Sequence, residues 1–281
     1  MKPGIRKFTQ EDTPAFNCFC AHLPADDYLP KVWPRWLAGV GDVNLVLENG
    51  GQIVGCVHGE MLTPGAGWAQ GLRVVPGLRR KGFGVVLLSA VLNELGASGA
   101  KAVHATIDVR NAASLSLVAG LGWIEAARVC RRMGQGRPFP AARLIPAERS
   151  NFQRIKEEQL LPANHFKLSL FGRAYFPMSE EFLAGCLAGE RLLADPQRRG
   201  FAVVEESGGS IPDTLWATFL AGTAGAMKAL FEGLLDEAWL NHRDLVIDSP
   251  DEPLIQKMLE ALDMAAVATN PKFVVVRYSF P

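Results

Sequence analysis

The sequence predicts a mixed α/β protein with a mixed sheet, built as two domains of similar size. Three observations carry this reading. Alternating or β-branched runs at the start give way to strand and helix patterns in alternation, the signature of helices layered on a sheet. A length of 281 residues, 48% of them apolar and 21% charged, suits about two globular domains. A strand–turn–helix segment from Val103 has a weak counterpart from Arg243, with Asp108 and Asp248 corresponding at an offset of 248 − 108 = 140 residues.

Ile5 to Phe8 reads as a strand, followed by a helix start near Asp12. Val43–Leu47 and Gln52–Leu62 read as strands joined at Asn49-Gly50-Gly51, a strong hairpin signal. Trp68–Val75 is a further strand, stopped by Pro76. Phe83–Leu95 reads as a helix apolar on most sides, hence buried, and closed by Gly96. Val103–Val109 is a strand, Ala112–Leu121 a helix ending at Gly122, and Trp123–Met133 a strand. The Gly- and Pro-rich stretch from Gly134 to Pro146 marks an interdomain connection, so the domains are expected at 1–135 and 136–281. Beyond it, helices are expected over Met178–Leu193, Ala224–Asn241 and Glu252–Leu262. Strands are expected over Gly200–Glu205, Thr214–Leu220, Asp244–Asp248 and Phe273–Phe280.

The charge balance excludes several classes of protein. The 29 basic and 29 acidic residues cancel, which argues against a nucleic-acid binder and against an acidic disordered chain. The cancellation hides a division, because residues 1–140 carry 15 basic against 10 acidic groups, or +5, and the remainder carries −5. No uncharged run exceeds 14 residues, too short for a membrane span of about 20. The start MKPGIRKFTQED lacks the apolar run of a signal peptide. Five cysteines, with only Cys18 and Cys20 close together, form neither a disulfide framework nor a strong metal motif. A cytoplasmic protein with reduced thiols and no bound metal is expected.

The stretch LRVVPGLRRKGFGVVLLSAVL, Leu72 to Leu92, carries the chemistry. A strand stops at a proline, a basic glycine-containing loop follows, and a helix begins. Such a loop turns backbone N–H groups inward and adds the positive end of the helix. Gly82 and Gly84 admit close backbone approach, and Arg79, Arg80 and Lys81 supply charge at the rim. The result is a phosphate cradle. It is not a P-loop, because Phe83 and Gly84 replace the required Lys and Ser/Thr.

The pattern that fits is L-x-V-x-P-x-x-R-x-x-G-x-G, with Leu72, Val74, Pro76, Arg79, Gly82 and Gly84. It resembles the acetyl-CoA-binding motif of the GNAT superfamily of N-acetyltransferases. Asn111, Ser114, Leu117, Gly122 and Trp123 resemble that family's second motif, and the likeness covers about residues 1–135. It implies the GNAT fold and acetyl-CoA as cosubstrate. Backbone groups of Leu72, Arg73 and Val74 would pair with the pantetheine arm. Amides from Arg79 through Arg80, Lys81, Gly82, Phe83 and Gly84 to Val85 would hold the pyrophosphate, and Asn111 would bond near the sulfur. It also implies direct attack of an amine on the thioester, with no covalent enzyme intermediate.

Two departures from the family are visible. The position that often holds a Tyr to protonate the departing thiolate is Val118. Trp68 stands where a Glu often removes the amine's proton, and no carboxylate occurs between Met61 and Asn93. Glu60, two residues from His58, and Asp108, four from His104, are the substitute bases, each pair sharing one face of a strand. Cys130 and Ser116 are weaker substitutes for the Tyr.

The second half does not repeat the cradle. Its equivalent, Leu220 to Gly225, has no preceding Arg, and Asp251 stands where Asn111 would be. It reads as a degenerate GNAT-like domain that completes the core, walls the cleft or forms a homodimer. The function expected is N-acetyl transfer to an amine of a small molecule, or of a peptide. The alternative is an acetyl-CoA-binding sensor without turnover.

Overall fold

The computed structural model describes residues 4–161, 167–169, 172–175, 178–206, 211, 213–268 and 271–280. The chain divides into two compact units. Unit 1 takes Met1–Thr106, Asn111–Ile124 and Val276–Pro281, and unit 2 takes Ile107–Arg110 and Glu125–Val275. Compactness therefore assigns residues 125–135 to the second unit and the last residues to the first, where the sequence alone placed a single cut after residue 135.

Unit 1 contains β1 (Gly4–Lys7), α1 (Thr13–Cys20), α2 (Leu29–Leu37), β2 (Val43–Asn49), β3 (Gln52–Thr63), β4 (Ala66–Val74), α3 (Phe83–Ala97), β5 (Ala102–Asp108), whose last two residues belong to unit 2, and α4 (Ala112–Gly120). Its strands run in the order β1-β2-β3-β4-β5, antiparallel except for the parallel β4–β5 pair. The β2–β3 hairpin turns where Gly50 and Gly51 take φ of 61° and 79°, conformations that cost a glycine little. Gly55 and Gly59 turn to α3: a Cβ on either would meet Leu87 at 3.0 Å or Val91 at 2.5 Å. Alternation then puts Cys56, His58 and Glu60 on the opposite face of β3, where Trp36 of α2 stacks on the His58 ring at 4.2 Å.

Two expectations about α3 are corrected. Val85 and Val86 are exposed, and only the stripe Leu87, Leu88, Val91, Leu92 and Leu95 is buried. One face is thus covered, each buried side chain contributing about 1.5–3 kcal/mol. Gly96 lies inside the helix rather than closing it. A Cβ there would press on the Phe280 ring at 2.9 Å, so this glycine admits the end of the chain.

Unit 2 contains β6 (Ile124–Gln135), β7 (Ile145–Pro146), α5 (Phe152–Glu157), β8 (Lys167–Ser169), β9 (Gly172–Ala174), α6 (Glu180–Ala188), β10 (Leu192–Ala194), β11 (Gly200–Glu206) and β12 (Thr214–Gly222). It continues with α7 (Ala224–Leu240), β13 (Asp244–Pro250), α8 (Pro253–Ala261), β14 (Ala265–Ala266) and β15 (Lys272–Ser279), whose end from Val276 belongs to unit 1. Its main strand order is β6-β13-β12-β11-β10-β7, with β12 and β13 parallel. The helix expected over Met178–Leu193 ends at Ala188. Gly189 is its C-cap, Glu190 takes φ of 55°, and Leu192 already pairs with β11.

Candidate active site

After β4 the chain makes a 3-10 turn at Pro76–Leu78, then passes through Arg80 at φ 60° and Gly82 at φ 83° before α3 begins. Left-handed residues in so tight a turn bring successive backbone N–H groups to one side, the concavity that receives anions. The first helical hydrogen bond runs from Val86 N–H to Gly82 O. The amides up to Val85 thus precede the helical ladder and lie at the helix's positive end. Arg80 holds a conformation costly for a side-chain residue, strain of a kind concentrated at ligand sites. Arg79, Arg80, Lys81 and Gly82 are exposed, and Phe83 is half-buried.

The two glycines differ. Nothing lies within 4 Å of a Cβ built on Gly82, so its left-handed backbone is what requires glycine. A Cβ on Gly84 would sit 2.7 Å from Leu117 Cδ1. Gly84 therefore lets α3 approach α4, a packing role in place of the close ligand approach expected from the sequence.

The cradle continues from an open strand edge. β4 pairs with β5 only from Ala66 to Trp68, opposite Ala102 to His104. Beyond that, a register shift around Gly71, at φ 69°, bends β4 away. A Cβ on Gly71 would strike Trp36 at 2.7 Å. Val75 N–H turns to Val54 O, so Leu72 and Val74 present their backbone groups to the open side. Arginine side chains hold the carbonyls there: Arg73 Nη1 donates to Leu72 O at 3.1 Å and Arg79 Nε to Val74 O at 3.1 Å. Arg73 also forks onto Asp27, at 2.8 and 3.2 Å, and lies over the Tyr28 ring. Its side chain ties down the loop before α2 and its backbone pairs opposite Cys56 of β3, so the open edge is offered by Leu72 and Val74.

Asn111 is exposed and caps α4, its Oδ1 accepting from Ser114 N–H at 3.1 Å. This assigns its oxygen to the helix, a demand the sequence reading did not include. Val118, in the position the family often gives to Tyr, is buried at 6% exposure. Ser116 is exposed, and Cys130 is buried with its thiol pushed up, chiefly by burial.

The two carboxylate candidates part company. Asp108 grips Arg110 through both oxygens, at 3.0 and 2.7 Å, and this hydrogen-bonded pairing lowers its pKa. A carboxylate held that way is a weak base. Glu60 is buried at 8% exposure and sits opposite Trp68 in the β3–β4 register. It therefore shares a face with the position where a base is missing from β4, one strand away. Gln70 donates to Glu60 Oε1 at 3.3 Å, and His58 Nε2 lies 3.8 Å from the same oxygen. Asp42 and Asn44 join this cluster and were not found by sequence reasoning. The hairpin register, Asn44 opposite His58, is the signal that would have shown them. His104 is buried and held neutral, pushed down to about 4 by burial first and then by the charge of Arg277.

Unit 2 has the same succession of strand, long helix and parallel strand, but the edge is filled. Leu160 N–H donates to Leu220 O, Gly222 N–H donates to Glu158 O, and Gln159 bridges to Ala221. Asp248, the counterpart of Asp108, is buried beneath Arg131 at 2.7 and 2.8 Å and Tyr175 at 3.0 Å.

In unit 1 a mixed sheet with an open strand edge thus runs into an anion cradle at a helix start. Residues 6–123 match the model of the acetyltransferase (GNAT) family. No curated relative matches by sequence. Among solved structures, a GCN5-related N-acetyltransferase from Sphaerobacter thermophilus is similar at 14% identity and a TM-score of 0.63, over 99% of this chain and 95% of that one. An acetyltransferase of Pyrococcus horikoshii, described as putative, is similar at 15% identity and a TM-score of 0.56, covering 99% and 90%. A glucosamine N-acetyltransferase region within a fungal multi-domain β-N-acetylglucosaminidase gives 12% identity and a TM-score of 0.64, covering 99% of this chain and 38% of that one. At these identities the likeness is one of fold. Among the described residues, no helix is long and apolar enough to cross a membrane.

Proposed function

We propose that unit 1 transfers an acetyl group from acetyl-CoA to the amine of a small molecule by direct attack. The observation that supports this best is the open β4 edge leading without a break into the Arg79–Val85 cradle. An extended pantetheine arm adds to Leu72–Val74 as a strand would, and the pyrophosphate meets amides and cations at the helix start. Pairing of the arm requires Arg73 Nη1 and Arg79 Nε to release the two carbonyls they hold, and the freed Arg79 then swings to the phosphates. A backbone N–H of the Leu72–Val74 edge polarises the thioester carbonyl as charge develops on its oxygen.

Glu60 serves as the base that takes the amine's proton. It does from β3 what Trp68 cannot do from β4, and Asp108 is withdrawn by Arg110. With Val118 apolar, the departing thiolate takes its proton from water or from the amine itself. The second unit is read as a degenerate relative whose edge is closed by Glu158–Leu160, so one cofactor per chain is expected. The test is calorimetry with acetyl-CoA, then thiol release across a panel of small amines and short peptides. One equivalent bound and amine-dependent release support the proposal. Binding without release from any amine would leave a sensor and refute the catalytic reading.

A further inference from the structure

We propose that Asp42, His58 and Glu60 of unit 1 form a binding site for one divalent transition-metal ion of the zinc class. Asn44 Nδ2 donates to Trp36 O at 3.1 Å, which fixes the amide and turns Asn44 Oδ1 toward His58 Nδ1 at 2.9 Å. A carbonyl oxygen accepts, so Nδ1 carries a proton and Nε2 is the ring nitrogen left for another partner. That Nε2 is fully buried and has no hydrogen-bond partner.

Nε2 points into two carboxylates, where it can serve a cation as a ligand once it carries no proton. Nε2 lies 3.9 Å from Asp42 Oδ2 and 3.8 Å from Glu60 Oε1. Three electron-rich atoms thus converge in a poorly hydrated place. These separations are beyond hydrogen-bond length, so a proton on Nε2 would not bridge them well. They suit a larger cation. The three donor atoms lie within 4.8 Å of one another, which puts each about 2.5 Å or less from a common point, near the 2.0–2.2 Å of zinc–nitrogen and zinc–oxygen bonds. One neutral imidazole and two carboxylates also cancel a charge of +2, removing the cost of burying two negative charges together.

The surroundings are those of a supported ligand set. Asn44 on Nδ1 is the outer partner that orients a metal-binding imidazole. Trp36 stacks on the ring at an interplanar angle of 9° and fixes its plane. The Asp42 side chain retains 18% exposure, which gives the ion a way in. One nitrogen and two oxygens select zinc, cobalt or manganese over the softer metals. The binding claim is independent of the catalytic proposal. Its consequence rests on that proposal, because an ion on Glu60 Oε1 occupies the base and makes zinc an inhibitor of acetyl transfer.

The experiment uses the full chain, freed of metal with a chelator and titrated with Co²⁺ in the visible region. The expected result is one equivalent bound, with d–d bands from nitrogen and oxygen ligands that Zn²⁺ abolishes by displacement. Asp42→Asn should remove the bands. Asn44→Leu, which deprives Nδ1 of its acceptor, should weaken binding about 10–100-fold. Glu60→Gln is a second ligand variant should Asp42→Asn fail to fold. Absence of stoichiometric binding by the wild type, or binding unchanged in the folded ligand variant, overturns the site. So does a thiolate charge-transfer band, which would move the ion to Cys18 or Cys20. Failure of acetyl transfer by the metal-free chain, with stoichiometric Co²⁺ binding observed separately, would refute only the catalytic proposal.

Discussion

Replacing Gly82 tests the cradle, because two substitutions there separate strain from charge. Gly82 takes φ of 83° as the N-cap of α3, with nothing within 4 Å of a Cβ. Gly82→Ala therefore meets no clash and costs only the left-handed conformation, about 1–2 kcal/mol. At about 2–4 °C per kcal/mol for a domain of this size, the unliganded melting temperature should fall by several degrees. Gly82→Asp incurs no more strain than that, because a short acceptor side chain tolerates the left-handed region, and adds a carboxylate at the mouth of the cradle. At about 6 Å from two phosphate charges in water, that carboxylate costs about 1.4 kcal/mol, or tenfold in affinity, and more where the site is drier. Calorimetry with acetyl-CoA should show Gly82→Ala close to wild type and Gly82→Asp at least tenfold weaker, with Gly82→Asp no less stable than Gly82→Ala when unliganded. Equal and undiminished affinity in both would place the pyrophosphate elsewhere and refute the assignment.

Other outcomes follow from the same geometry. Glu60→Gln keeps size and removes the base, so kcat/KM should fall by about 10²–10⁴-fold with acetyl-CoA affinity unchanged; a normal rate in the folded variant would exclude Glu60. Gly84→Ala drives a methyl group toward Leu117 Cδ1 and should cost about 1–3 kcal/mol, partly recovered by adding Leu117→Val; denaturant titration reads both, and no recovery would mean that the strain lies elsewhere. His104 is held down to about 4 from 6.5, by burial and then Arg277. The unfolded chain therefore binds a proton between these values that the folded chain refuses, and stability falls as pH drops through that window, by up to about 3 kcal/mol. His104→Gln should flatten this part of the pH–stability curve, and an unchanged slope would refute the assignment.

The parts of the fold that were legible in the sequence are those governed by local chemistry. Asn49-Gly50-Gly51 supplied the left-handed residues a hairpin needs, and Pro76 and Gly82 punctuated the passage from strand to helix. The helix α2 was missed because LPKVWPRWL holds two prolines. Pro30 sits in the first turn, where it is tolerated, while Pro34 lies inside the helix. Burial of Leu29, Val32, Trp33 and Trp36 supports the helix despite that proline. Non-local pairing was not legible. β6 lies against β13, with Arg131 opposite Asp248 across 117 residues, and no periodicity in either segment names its partner. The candidate site divides the same way. His58 and Glu60 could be placed on one face by alternation, but Asp42 and Asn44 needed the hairpin register, and the commitment of Asp108 to Arg110 needed side-chain geometry.

The two units show why a motif has to be read together with its strand edge. Both carry a strand, a register shift, a long helix and a parallel strand. In unit 2, Gly222 takes φ of 136°, and a Cβ there would meet Arg199 O at 2.5 Å and Gly200 Cα at 2.8 Å. Its glycine is required by the packing of β11 against β12 and carries no implication of a ligand. The residues that would have to receive a cofactor arm, Leu220 and Gly222, already bond Leu160 and Glu158. Leu72 and Val74 in unit 1 are covered only by arginine side chains, which can turn away at small cost compared with unpairing a backbone segment. That difference in what must be displaced, more than the loss of Arg residues from the loop, separates a strand edge that can accept a cofactor from one that cannot. Replacing Gln159 by proline leaves the Leu160 and Gly222 donors intact, so it should not open the unit 2 edge. Acetyl-CoA titration of that variant should still end at one equivalent, and a second equivalent would refute this account of the closed edge.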